Sequence, residues 1–441
     1  MVSRKTLARV FVVLCLFVFA FQLPDLAQQC GNGGGNPTPP AGGLANTFFS
    51  MTMNQFGGSH ISTIPSGSMR AWDTSAVWPI MNTAPGVFNF ANLLTFLNQA
   101  KGLGHKDAIF TLGRTPSWAV SGTCSGTYSG GTPPNKSCKE PPADVDSTDS
   151  TLKTFATKLA QACVNDFPTT GVKCIFEGWN EPDINFGGTM AQLVTMQKDY
   201  FNAIKAVDPS FIVTGPAPST GNKFGIHTLP AFYSAGGATW QDVVAMHGYI
   251  YDGSNFAVNP EGGSGASGST QTMIDQLRSL MSTNHIGSKP IWITEVAWGG
   301  SPTNTSLSDQ QKREYFARDM MYYFMNEIAR VYWYAWDNIN WGTLFNGSLT
   351  GTGVAFREMN TWLTGSTHNP GPCQQAADKT WTCTLVLANK ASAQIMFNPS
   401  TTVSKSVSAL FHNQQGITGP TKTPISGQTV SVGPAPIMLT P

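Results

Sequence analysis

Cys174-Ile175-Phe176-Glu177-Gly178-Trp179-Asn180-Glu181-Pro182-Asp183 is the stretch that decides the fold. Its run Cys174–Trp179 reads as a strand buried on both faces, as parallel strands are when helices cover the sheet. Glu181 closes it. Pro182 lacks an N–H and restricts the residue before it, so Glu181 is expected in extended backbone with no helix following at once. A second stretch, Ile291-Trp292-Ile293-Thr294-Glu295-Val296-Ala297-Trp298-Gly299, repeats the pattern with Glu295. Carboxylates that end buried strands sit on the rim of an α/β sheet, where such folds build their sites.

Working outward, six further strand candidates appear: Thr47–Met53, Ser68–Trp72, Asp107–Leu112, Phe211–Thr214, Val243–His247 and Val331–Trp336. The sequence also predicts amphipathic helices at Leu152–Asn165, Met190–Ala206, Thr270–Ser282 and Ser308–Ala329. With Cys174–Trp179 and Pro290–Thr294 the strands number eight, which predicts an α/β fold, a (β/α)₈ TIM barrel over residues 45–365. An open doubly wound sheet is the alternative, but no Gly-rich fingerprint follows the first strand. Residues 366–441 hold only short alternating segments split by Gly, Pro and Asn, which predicts a small antiparallel β-sandwich. Two long loops, 119–150 and 250–269, follow strands 3 and 6 on the side where barrel sites lie.

The 441 residues carry few charges (12%) and a formal net charge of +1, so there is no electrostatic case for nucleic acid or an acidic membrane surface. Residues 1–27 read as a signal peptide: Arg4, Lys5 and Arg9 precede an apolar run, Val10 to Phe21, too short to span a bilayer. Residues 28–44 read as a Gly/Pro-rich tether. A secreted, periplasmic or cell-surface location follows. Cys30 before a Gly-rich stretch invites a lipid anchor, but Ala27-Gln28-Gln29 does not fit an attachment signal, and none is expected. Six cysteines allow 15 connectivities. Short loop closure in an oxidising compartment favours Cys124–Cys138, Cys163–Cys174 and Cys373–Cys383, with Cys30 unpaired. No Cys/His spacing suits zinc and there is no HExxH, so neither cofactor nor metal is expected. A monomer is expected.

Two glutamates on strand ends fit one chemistry well. Glycosidic cleavage needs one protonated carboxyl for the leaving oxygen and one ionised carboxylate for the ring carbon. Asn180, beside Glu181, offers an amide that can donate to and accept from a sugar hydroxyl. The 12 Trp suit sugar stacking, though most Trp in any protein pack the core. Glu177 lies four residues before Glu181, well inside the strand, and reads as a buried structural partner.

Phe176–Asp183 resembles the acid/base motif of the clan A glycoside hydrolases, most closely glycoside hydrolase family 39. Trp292-Ile293-Thr294-Glu295 resembles that clan's nucleophile motif. Met69-Arg70-Ala71-Trp72-Asp73, Phe110 to Trp118, Met246-His247-Gly248-Tyr249 and Tyr332 to Asp337 resemble its strands 2, 3, 6 and 8. The resemblance covers about residues 45–365. It implies a retaining glycosidase acting on a poly- or oligosaccharide, with Glu181 as acid/base and Glu295 as nucleophile. It further implies that Arg70 holds Glu295 ionised, that Glu181 has the higher pKa, and that His247 and Tyr249 orient the nucleophile or touch sugar hydroxyls. Trp336 would floor the sugar subsite, with Trp118, Trp298 and Trp341 as further platforms. A transglycosylase shares every motif. A carbohydrate-binding protein that had lost catalysis would lack one Glu.

Overall fold

The computed structural model describes residues 43–55, 61–72, 74–124, 137–219, 226, 228–250, 257–262, 268–298, 307–338, 341–368 and 372–441. The expected signal peptide, Cys30, nearly all of the tether, Asp73 and parts of both long loops lie outside these residues.

Eight parallel strands form the central sheet: β1 Phe49–Met53, β2 Met69–Ala71, β3 Asp107–Leu112, β4 Lys173–Trp179, β5 Ile212–Val213, β6 Val244–His247, β7 Ile291–Val296 and β8 Arg330–Trp333. Neighbours pair in chain order, with β8 returning to β1 through Phe49↔Val331. A parallel bridge, Thr214↔Val243, joins the end of β5 to the start of β6. The ring is therefore closed and the open sheet is ruled out. This is a (β/α)₈-like barrel.

The helices longer than one turn are α1 Ala91–Gly102, α2 Ser150–Thr170, α3 Met190–Val207, α4 Thr228–Ser234, α5 Thr270–Thr283, α6 Asp309–Met325 and α7 Gly351–Leu363. Their starts are written locally. Thr189 with Gln192, and Ser308 with Gln311, form reciprocal capping boxes before α3 and α6. Gly171, at φ 64°, closes α2 in the left-handed conformation that glycine tolerates. Helix α6 stops four residues short of the expected Ala329. The Asn326 N–H bonds back to Tyr322 and Tyr323, and Glu327 turns left-handed at φ 49°.

Both strand faces are buried, as a helix-covered parallel sheet requires. The inner face carries Ile109, Ile175, Val243, Trp292 and Tyr332, a separate apolar cluster. The Tyr332 hydroxyl donates to Ser68 on the β2 side at 3.1 Å, so this layer fills the barrel. At the N-terminal end, Arg330 grips Asp107 with two bonds of 2.7 and 2.8 Å.

Residues 372–441 contain no helix among the described residues. Antiparallel strands at Trp381–Val386, Ser392–Phe397, Ile437–Thr440 and Asn413–Gly416 form the main sheet. The ribbon of Val403–Ser406 and Thr429–Val432 faces it, burying Val430 and Val432 against Met396 and Leu439. The expected sandwich is thus one sheet with a two-stranded second layer. All three local disulfides form as expected: Cys124–Cys138, Cys163–Cys174 and Cys373–Cys383. Each closes a loop of 10 to 14 residues, worth about 3 kcal/mol in the loop-entropy account.

Candidate active site

The C-terminal ends of β2, β4, β6 and β7 converge on one guanidinium. Arg70, fully buried on β2, donates from Nε to Glu177 Oε2 at 2.7 Å, from Nη1 to Glu295 Oε2 at 2.9 Å, and from Nη2 to Asn180 Oδ1 at 2.6 Å. Burial works against its charge, but Glu177 and Glu295 more than offset this and hold Arg70 above its usual range. Glu177 also accepts from Thr111 on β3 at 2.7 Å. It is the buried structural partner that its place inside the strand implied.

Glu295 is 7% exposed. Its Oε1 accepts from the Tyr249 hydroxyl at 2.7 Å. His247 Nε2 stands 3.6 Å from its Oε2, beyond a hydrogen bond. Burial pushes the Glu295 carboxyl up, while His247, Arg70 and the Tyr249 hydroxyl pull it down. The net direction is upward, although Arg70 pulls the group down as expected. Loss of hydration outweighs the cation beside it. Burial likewise pushes the Tyr249 hydroxyl well up, so it remains a donor, and pulls His247 down, which favours the neutral imidazole.

Glu181 stands differently. Its side chain is 17% exposed, its Oε1 lies 3.0 Å from His247 Nδ1, and its Oε2 accepts from Asn185 Nδ2 at 3.2 Å. Its backbone is left-handed, φ 45° and ψ 59°, and a one-turn helix, Pro182–Asn185, begins immediately. The expected extended Glu181 with no helix is therefore corrected. Pro182 needs no N–H partner at a first helical position, and its fixed φ suits one. A non-glycine residue at positive φ is strained. Here the Glu181 N–H to Ala217 O (2.8 Å) and the N–H groups of Ile184 and Asn185 on its carbonyl (3.1 and 2.7 Å) hold it.

The register shifts explain how strand residues aim inward. β4 shifts against β3 between Thr111 and Leu112, with Gly178 the extra residue; β6 shifts at Met246/His247, and β7 between Ile293 and Val296. Bulges of this kind re-aim side chains beside sites. A Cβ on Gly178 would stand 2.7 Å from the Gly215 carbonyl carbon, so only glycine allows this crossing. Glu295 accordingly lies within β7 rather than after it.

Of the expected site residues, the structure brings together Arg70, Asn180, Glu181, His247, Tyr249 and Glu295. The tryptophans divide. Trp336 and Trp298 are fully buried, Trp336 stacked on Phe345 at 5.0 Å and Trp298 donating to Val258 O at 2.8 Å while stacked on Trp333. Neither presents a face to solvent, which corrects their reading as sugar platforms: both lie just beyond the ends of β7 and β8, where core packing claims them. Trp118 is half-buried and donates to Asn82 O at 2.8 Å. Trp341 is half-buried, with its ring 5.6 Å from Tyr249. Sequence reasoning missed Thr111 and Asn185. Asn185 lies one helical turn after Glu181, a signal hidden by reading Pro182 as a stop. Asn180 Nδ2 is a buried donor with no protein partner.

Two carboxylates and an imidazole thus share a rim, with one ligating atom of Glu181, His247 and Glu295 each within 4.8 Å of the others. Residues 146–356 match the family model described as the glycosyl hydrolase catalytic core. The chain carries a glycosyl hydrolase catalytic core. No curated protein matches this hydrolase in sequence. Its fold is similar to a family 39 glycoside hydrolase from the gut symbiont Bacteroides cellulosilyticus WH2 (TM-score 0.62, 16% identity, 85% of this chain and 75% of that one). It is also similar to a monomeric beta-xylosidase from Caulobacter crescentus CB15 (TM-score 0.59, 15% identity, 90% and 97% covered). A third likeness is to CelM2, a bifunctional glucanase-xylanase from a metagenome library (TM-score 0.58, 15% identity, 90% and 96% covered). At these identities the likeness is one of fold. The hydrolase is a glycosidase.

Proposed function

We propose that this glycosidase retains anomeric configuration, with Glu295 as nucleophile and Glu181 as acid and then base. The observation that carries the reading is the spacing of the pair. An oxygen of Glu181 and one of Glu295 lie within 4.8 Å, against carboxyl separations of ~5–5.5 Å for retaining and ~6.5–9.5 Å for inverting pairs.

Glu295 attacks the ring carbon and Glu181 gives its proton to the leaving oxygen, so an ester to Glu295 forms as the glycosidic bond breaks. Water, giving its proton to Glu181, then displaces Glu295. Arg70 and Tyr249 direct the two oxygens of Glu295 and stabilise its charge when it leaves. Neutral His247 serves as donor or acceptor to Glu181 as its proton comes and goes. In this reading the unpartnered Asn180 Nδ2 donates to a hydroxyl of the sugar. The substrate is a poly- or oligosaccharide, and the three disulfides suit a secreted enzyme. No helix among the described residues is long and apolar enough to cross a membrane. The test is product stereochemistry on an aryl glycoside, read by NMR in the first minutes of turnover. Retained configuration is expected; an inverted first product would sink the covalent mechanism.

A further inference from the structure

A cavity of about 450 Å³ lies between the barrel and the C-terminal sheet, within the ~300–1,000 Å³ usual for small-molecule sites. It shares no lining residue with the centre around Glu181 and Glu295. Its aromatic wall is Trp381, half-buried at the start of a sheet strand. That ring is held by Tyr322 of α6, edge-on at 6.1 Å, and by Phe397, stacked at 6.4 Å. Glu261, from the segment after β6, is fixed by two bonds from Arg318, of 2.7 and 3.0 Å. Each of its oxygens keeps a lone pair, and Asn259 Oδ1 beside it is buried with no partner. The sheet side brings Gln375 and Lys379, both exposed, as donors.

We propose that this cavity is a second saccharide-binding site, which holds a neutral stretch of the polymer away from the bond being cut. A pyranose ring has an apolar C–H face and a rim of hydroxyls that both donate and accept. An aromatic wall with fixed acceptors on one side and amide and ammonium donors on the other matches that pattern. A lipid would meet too many polar groups, and a phosphorylated ligand would meet Glu261. The site is assembled from three parts of the chain, the segment after β6, helix α6 and the sheet, so it exists only when sheet and barrel are docked. The choice of a saccharide rests on the glycosidase reading.

The test uses the full chain with Glu295→Gln, so that polymer is not consumed, in native gels cast with soluble xylan or soluble β-glucan. Retardation by at least one polymer is expected. It should weaken at least five-fold when Gln375→Ala and Lys379→Ala are added, two exposed changes that leave the packing of Trp381 intact. Ser400→Trp, which fills the cavity from its exposed rim, should weaken it equally, with thermal unfolding used to check that the chain remains folded. Unchanged retardation in both variants, or no retardation of the Glu295→Gln protein by either polymer, overturns the proposal. The glycosidase reading fails by a different sign: Glu295→Gln that still turns over aryl glycosides.

Discussion

Glu295 and Glu181 share one imidazole but sit in opposite kinds of seat. Glu295 is inside a barrel strand, buried, with a guanidinium on one oxygen and a phenol on the other. Glu181 is outside its strand, on a strained left-handed corner, partly exposed, with an amide from a single helical turn. The strand seat fixes direction, as an attacking group requires. The corner seat leaves a carboxyl open to solvent, as a group that must lose and regain a proton requires. The contrast gives the two proposed roles a physical basis in which side of the strand end each carboxylate occupies.

The contrast breaks most sharply on removal of the proposed nucleophile, Glu295. Glu295→Ala should cut turnover by ~10⁴–10⁶-fold. Added azide should then attack the exposed ring carbon and give a glycosyl azide of inverted configuration, measured by NMR. Glu181→Ala should cost less, ~10²–10⁴-fold on a natural glycoside. Aryl glycosides with good leaving groups should keep their first step, seen as a burst of phenol followed by slow release. Equal losses on both substrate types for Glu181→Ala would mean that the corner seat holds no proton donor.

Arg70 sharpens the comparison from the other side. Arg70→Met leaves Glu177 and Glu295 buried without their shared cation, and breaking such a pair costs ~3–5 kcal/mol. Chemical denaturation should show a loss of this size. Exposed Lys153, which faces Asp199 at 3.8 Å, should show almost none when changed to Ala. A small loss for Arg70→Met would mean that the carboxylates take up protons instead, and acid titration of the variant would reveal it.

Much of this was legible in the sequence because burial and period are local. The apolar runs at 174–179 and 291–294 marked strands, and two Glu at strand ends with an Arg two strands away marked a rim. The close cysteine pairs were equally readable. What was not readable depends on partners far along the chain. Gly178 looks like any strand glycine until Gly215 presses against it. Trp336 looks like a platform until Phe345 covers it. The left-handed corner at Glu181 needs the Ala217 carbonyl, 36 residues on, to be held there. The upward push on Glu295 comes chiefly from burial, which no motif states.

The smallest effect is on stability against pH, and it tests that burial directly. The Glu295 carboxyl is raised above its ordinary value of 4.5 in the folded protein. Below that ordinary value it is protonated whether folded or unfolded, and no penalty arises. As pH climbs through the raised value the unfolded chain releases the proton more easily, so the folded state binds more protons and stability falls. Glu295→Gln cannot titrate and should escape this decline. The variant also turns one carboxylate oxygen into an amide donor, which opposes the N–H of Arg70 or the hydroxyl of Tyr249. That offset does not depend on pH in this range, so the slope rather than the absolute stability carries the result. Denaturant midpoints of both proteins, from pH 4 towards neutral, should show wild type losing ground to the variant. If wild type instead gains on the variant as pH rises, Arg70 and Tyr249 outweigh burial in the strand seat.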